Sequence, residues 1–165
     1  MSRLYPYVGA ADLNNQAAFN TVRAHITAET DALEILGLTV TFIVDAAGLL
    51  WIADRHSEHV SCARGGDVLS AGEMTFEADN GKVSVIGITN QSTGYCPKPE
   101  SWPAVAAALD KSGIQHPNCY TQSFLFRRCE SCGQTNIVKE GDFTCAVCGT
   151  ELNQEWNFPY DAEAD

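Results

Sequence analysis

The sequence predicts an α+β fold: an antiparallel sheet of two hairpins, packed helices, and a small C-terminal module held by four cysteines. Three observations predict it. Two pairs of partly alternating, β-branched runs each flank a turn, one at 45–48 and one at 79–81. Apolar residues recur at helical spacing over 14–36, and Ser101 followed by Trp102-Pro103 marks the start of a further helix. Four of the seven cysteines fall in two matched C-x2-C pairs.

Taken in chain order, residues 1–12 carry Pro6 and Gly9 and read as irregular. From 14 to 36, Ala17, Ala18, Val22, Ile26, Leu33 and Leu36 recur near a 3.6-residue period, so this stretch is expected to be helical. Gly37 stands where a helix commonly ends, and Thr30 or Asp31 can cap a second helix inside the stretch. The period then changes. Leu38–Val44 and Leu49–Ala53 read as strands around Asp45-Ala46-Ala47-Gly48. Residues 54–66 are polar and read as a loop or short helix. Val68–Glu77 and Lys82–Thr89 form a second hairpin, because Asn80-Gly81 readily takes the positive φ angles of a tight turn. Asn90–Pro99 is a loop. Ser101 is expected to cap a helix with Pro103 in its first turn, running to Asp110 or Lys111. Ser123–Arg127 is a short strand leading to the cysteines.

The 165 residues divide on this reading into an α+β domain (1–125), a cysteine module (126–152) and an acidic C-terminal segment (153–165). No apolar run approaches the roughly 20 residues that span a bilayer, and the first residues show no apolar export core. Seven cysteines cannot all pair, and Cys62, Cys96 and Cys119 are left as free thiols, which suits a reducing, cytoplasmic setting. Asp and Glu exceed Lys and Arg to give a net charge of −11, which argues against a phosphate-binding surface and so against a nucleic-acid partner. The cysteine module does not reverse this. Arg127, Arg128 and Lys139 face Glu130, Glu140, Asp142 and Glu151, without a basic stripe.

Cys129-Glu130-Ser131-Cys132-Gly133 and Cys145-Ala146-Val147-Cys148-Gly149 share one pattern, with twelve residues between the inner cysteines. Each spacing lets a tight turn aim two sulfurs at one ion, and the following glycine lets the chain turn away. Four thiolates satisfy the tetrahedral preference of Zn²⁺ at about 2.3 Å; rubredoxin-like iron is the alternative. Asn136-Ile137-Val138-Lys139, the turn Glu140-Gly141-Asp142 and Phe143 read as a small hairpin between the pairs. Over 126–152 the chain resembles the zinc-ribbon family. Four protein ligands leave no position for water, so a structural Zn²⁺, one per chain, is expected.

The segment 55–97 carries a second pattern: Arg55-His56-Ser57, then Gly65-Gly66-Asp67-Val68-Leu69-Ser70-Ala71-Gly72-Glu73, then the hairpin, then Asn90-Gln91-Ser92-Thr93-Gly94-Tyr95-Cys96-Pro97. With the helix after it, at 56–112, it resembles a segment of plant IQ-motif calmodulin-binding proteins and of some bacterial toxin C-terminal domains. There a His-Ser, an Ala-Gly strand and a hairpin precede Ser-Gly-His-Tyr-x-Pro. This chain lacks the histidine beside the tyrosine and has no IQ motif. The resemblance implies a shared fold and no particular chemistry.

Candidate ligand-binding residues are Arg55, His56, Glu73, Ser92, Thr93, Tyr95 and Cys96. The hydroxyl-rich loop between a strand and a helix offers amides and hydroxyls to a ligand, or simply satisfies its own turn. Hairpin pairing is expected to bring Gly66 and Asn90 to one edge of the sheet, so that His56 and Tyr95 share a rim. His56, His59 and Cys62 have the spacing for a second metal on a helical face. Cys96 with His56 or His116 is a possible nucleophile–base pair. Two functions stay open: a non-catalytic protein-binding or adaptor module, and a small or degenerate enzyme, a transferase or hydrolase on a polar substrate, with its site at the 55–62 and 92–97 loops.

Overall fold

The computed structural model describes residues 3–10 and 21–159. The helix expected over 14–36 lies partly outside them, and where it is described it is not a helix. Arg23–Ile26 is a strand, β1, paired antiparallel with the later strand through Arg23↔Ala53 to Ile26↔Leu50. Alternation decides it: Ile26 is buried while His25 stacks flat on Trp51. The Asp31 carboxylate then accepts hydrogen bonds from the Thr27 and Ala28 amides and the Thr27 hydroxyl, which starts a 3-10 helix at Glu29–Ile35. The apolar spacing imitates a helix because a strand followed by a tight turn also returns side chains to one face.

Both predicted hairpins form. β2 (Thr39–Asp45) and β3 (Leu50–Asp54) close around Asp45, whose carboxylate accepts the Ala47 and Leu49 amides and the Trp51 indole N–H. A short helix, α1 (His59–Cys62), follows. β4 (Val68–Asp79) and β5 (Lys82–Ile88) turn at Asn80 and Gly81, both at positive φ. The strands form one antiparallel sheet in the order β1-β3-β2-β4-β5.

β4 is much longer than β5. Ile88 pairs with Met74, and the Thr89 amide donates to the Glu73 carbonyl. The chain then leaves the edge and crosses over Gly72. Gly66 and Asn90 therefore do not emerge at one edge, as equal strands would require. Asn90 fixes the crossover: its Nδ2 donates to the carbonyls of Pro97 and Phe124 and its Oδ1 accepts the Phe124 amide.

Each sheet face buries its own core. On one, Phe42, Val44, Leu50, Met74 and Phe76 pack against Val105, Ala108 and Leu109 of α2 (Trp102–Lys111). On the other, Ile43, Val68 and Ala71 pack with Val60 and Cys62 of α1, and with Tyr5 and Tyr95. Ser101 is not the side-chain cap expected of it. A 3-10 turn at Pro99–Ser101 precedes α2, and the Ser101 hydroxyl turns inward to donate to the Lys98 carbonyl. It joins Ser70 and Tyr120 in a buried triangle of hydroxyls at 2.7–2.9 Å. The outer edge of β5 is covered by 114–122, through Gln115 and Thr121.

The C-terminal part makes its own two-stranded sheet from β6 (Leu125–Arg128) and β7 (Thr135–Val138), so β6 does not continue the main sheet. Phe126 packs with Cys96, Phe158 and Trp156. The Trp156 indole donates to the Cys96 carbonyl at 2.8 Å and meets the Tyr5 ring edge-on. Among the described residues no helix is long and apolar enough to cross a membrane.

Candidate metal centre

The two C-x2-C segments fold as matching knuckles. Each closes on one pair of backbone bonds: Gly133 to the Cys129 carbonyl and Gly149 to that of Cys145, then Cys129 to Gln134 and Cys145 to Thr150. Gly133 and Gly149 sit at φ +80 and +77, where a side chain would be strained. The knuckles face each other. All four sulfurs lie within 4.8 Å of one another, with Cys129–Cys148 at 3.5 Å and Cys132–Cys145 at 3.6 Å. Sulfurs at the corners of a tetrahedron with bonds of about 2.3 Å stand about 3.8 Å apart. None of the four is in a disulfide. The donor set therefore fits a metal ion, and among the described residues it is the one group of three or more His, Cys, Asp or Glu side chains so placed.

The surroundings favour the thiolate at Cys145 and Cys148, while Cys132, despite a backbone hydrogen bond from Gln134, is raised to about 12 by desolvation and the neighbouring sulfurs. The Cys132 amide donates to the Cys129 sulfur, and the Val147 amide to that of Cys145, both at 3.4 Å. Backbone hydrogen bonds from Cys148 and Val147, with the Asn136 amide, hold the Cys145 thiol down to about 6. Hydrogen bonds from Thr150 lower Cys148. The hairpin expected between the pairs is shorter than its sequence suggested. β7 pairs with β6 rather than with the strand that follows it, and only Lys139↔Asp142 closes the turn at Glu140 and Gly141.

The candidate residues of the larger part fall in two separate places. Ser92, Thr93, Tyr95 and Cys96 lie together on the face carrying Tyr5. Ser92 is buried and its hydroxyl accepts the Tyr95 amide, while Tyr95 is wholly buried and donates to the Gly66 carbonyl at 2.6 Å. Cys96 holds a left-handed backbone, φ +47, and is pinned by Ser92 and Trp156; its thiol faces the Thr93 carbonyl. Burial raises both the Tyr95 hydroxyl and the Cys96 thiol well above their usual ranges. Arg55 and His56 lie instead just past β3. The His56 ring is exposed and pairs with Asp54 at 3.1 Å. Glu73 stands opposite Thr41, whose hydroxyl donates to the Arg55 and Ser57 carbonyls.

No hydrogen bond, ion pair or ring contact among the described residues joins His56 to Tyr95, or Cys96 to His56 or His116. His56, His59 and Cys62 do not converge on a second metal either. The His59 ring bonds to the Gly72 carbonyl at 2.8 Å, and burial lowers it to about 4. Cys62 points into the core, where burial raises its thiol to about 12 against the pull of Arg23 and Arg64. Reading the sequence missed Asn136 beside the sulfurs. Its one signal is a short amide in the middle of the strand that links the two pairs.

Comparison with models of known protein families, with curated proteins and with solved structures found no match. The likeness of 126–152 to zinc ribbons therefore stands on its four-cysteine geometry, and that of 56–112 on its motif alone.

Proposed function

We propose that the protein is a zinc-binding module in which Cys129, Cys132, Cys145 and Cys148 hold one structural Zn²⁺, and that it acts without catalysis, as an adaptor that meets a protein partner in the cytoplasm. The zinc reading is supported by four sulfurs within 4.8 Å of one another, close enough to share one ion. Zinc needs no further ligand there, and small all-cysteine modules of this kind depend on it to fold. The non-catalytic reading is supported by the state of the candidate chemistry. Tyr95 and Cys96 are spent on packing and donate to the Gly66 and Thr93 carbonyls, and the buried Ser92 hydroxyl accepts the Tyr95 amide. The acidic charge favours a protein partner over nucleic acid.

One observation favours the second reading. A cavity of about 660 Å³ at the open end of β1, β2 and β3 has apolar walls from Val22, Leu38, Val40 and Ile52, with Arg55 and His56 at its rim. Its size is that of a small-molecule site. Of the 55–62 loop it takes in Arg55 and His56, and none of its walls comes from the 92–97 loop.

Elemental analysis of protein purified from its own host tests the first reading. It should give one zinc per chain, falling in Cys132→Ser because a hydroxyl is a far poorer ligand at neutral pH. A folded protein with neither zinc nor iron overturns it. Co-purification of a stoichiometric protein that is lost from Cys132→Ser supports the adaptor role; a retained small molecule displaced by filling the cavity supports the alternative.

A further inference from the structure

Asn136 lies in the middle of β7 and is only 6% exposed. Its amide is fully used. Oδ1 accepts the Ala146 amide at 2.9 Å, and Nδ2 donates to the Gln134 carbonyl at 3.0 Å and reaches the Cys145 sulfur at 3.5 Å. The residue thus touches the exit of the first knuckle, the body of the second, and one ligand sulfur. Strand pairing supplies no such tie, since β7 pairs with β6 and meets the returning chain only at Lys139↔Asp142. The first sulfur of each knuckle also takes a backbone amide from its own turn, Cys129 from Cys132 and Cys145 from Val147, the latter one position earlier. Asn136 is the additional donor, and it goes to Cys145.

We propose that Asn136 is a positioning residue of the metal centre: it orients the Cys145 thiolate and sets the second knuckle in register with the first, so that its loss weakens metal retention although all four ligands remain. The inference rests on the zinc reading above. Both functions of the amide are needed. A carboxylate of the same shape keeps the acceptor for Ala146 but has no donor for sulfur, and it brings negative charge to a centre already carrying two excess charges. An apolar side chain of similar size keeps neither bond. Partners of this kind, one step removed from the metal, typically change affinity by about 10–100-fold.

The test uses the full chain and the variants Asn136→Asp and Asn136→Leu, each loaded with zinc and, separately, with cobalt. Zinc transfer to a chromophoric chelator should run about 10–100-fold further toward the chelator in both variants, with Asp the more severe. The cobalt form supplies a readout that a purely structural role would not move. Losing a hydrogen bond to sulfur should shift the thiolate-to-cobalt charge-transfer band to lower energy. If Asn136→Leu fails to fold, the isosteric Asn136→Asp still decides. Equal zinc transfer within twofold and an unshifted cobalt band in a folded variant overturn the proposal and leave the zinc reading intact. A wild-type chain that takes up neither metal overturns both.

Discussion

Replacing Gly72 by Ala should cost about 3–5 kcal/mol, although the added methyl group is the smallest possible side chain. Gly72 lies in β4 at a φ open to any residue, so backbone strain is not the issue. A Cβ there would overlap the Thr89 carbonyl oxygen and stand 2.8 Å from its carbon and 3.0 Å from the Asn90 Cα. All three are main-chain atoms of the crossover, and Asn90 ties that crossover to Pro97 and Phe124. The chain cannot yield without moving these bonds, the Thr89–Glu73 bond and the His59–Gly72 bond. Overpacking costs about 1–3 kcal/mol, and each weakened buried hydrogen bond about 1 kcal/mol more. Of a total stability of about 5–15 kcal/mol this is a large part. Gly87→Ala is the control, because the nearest atoms to its added Cβ lie 3.9 and 4.0 Å away in the Thr75 side chain. Urea unfolding of both variants measures the difference. If Gly72→Ala loses less than about 1 kcal/mol, or no more than Gly87→Ala, the crossover is not packed as described.

Two further outcomes follow from the core. The His59 imidazole is lowered from 6.5 to about 4 in the fold, so between those values the unfolded chain binds the extra proton and stability falls as pH is lowered. The slope is at most about 1.4 kcal/mol per pH unit, less for a partly exposed ring, and it should flatten in His59→Gln; an unchanged slope assigns the effect elsewhere. His116 works in the opposite sense, since hydrogen bonds with Pro117 and Asp110 raise it despite burial, which is why the variant rather than the wild type is diagnostic. Tyr120→Phe removes one corner of the hydroxyl triangle and leaves Ser70 and Ser101 short of a partner; thermal and urea unfolding should show a loss of about 1–3 kcal/mol, and a loss below 0.5 kcal/mol on the order of error would show that the hydroxyls re-pair freely.

What could be read in advance was what depends on neighbours in sequence. Asn80-Gly81 and Asp45–Gly48 announce their turns by local chemistry, and the C-x2-C-G pairs announce theirs. The stretch at 21–36 could not be read so, because Ile26 is held by Leu50 across a strand pair and Asp31 binds amides that precede it. Ser101 misled for the same reason. Its hydroxyl has a local partner in Lys98 and distant ones in Ser70 and Tyr120, and only the first is visible in sequence. The expectation that Gly66 and Asn90 would leave the sheet together met a difference in strand length. Twelve residues of β4 against seven of β5 move the loop off the edge and over the face. At the metal centre the ligands were legible from spacing, whereas Asn136 was not, since an amide in a strand carries no mark of what it reaches.

The seating of Trp156 between Tyr5 and the Cys96 carbonyl has a consequence for how the chain assembles. Within the main sheet β2–β3 and β4–β5 pair across tight turns, and β1 reaches β3 within the first third of the chain. The contact of positions 5 and 156 closes almost the whole chain, and the entropy of that closure is recovered only when both ends are already shaped. Trp156 follows the second knuckle directly. A growing chain can complete its sheet before it can complete this clasp, and the clasp in turn waits on the knuckles. The docking of Trp156 on Tyr5 then comes after the sheet in the assembly of the molecule.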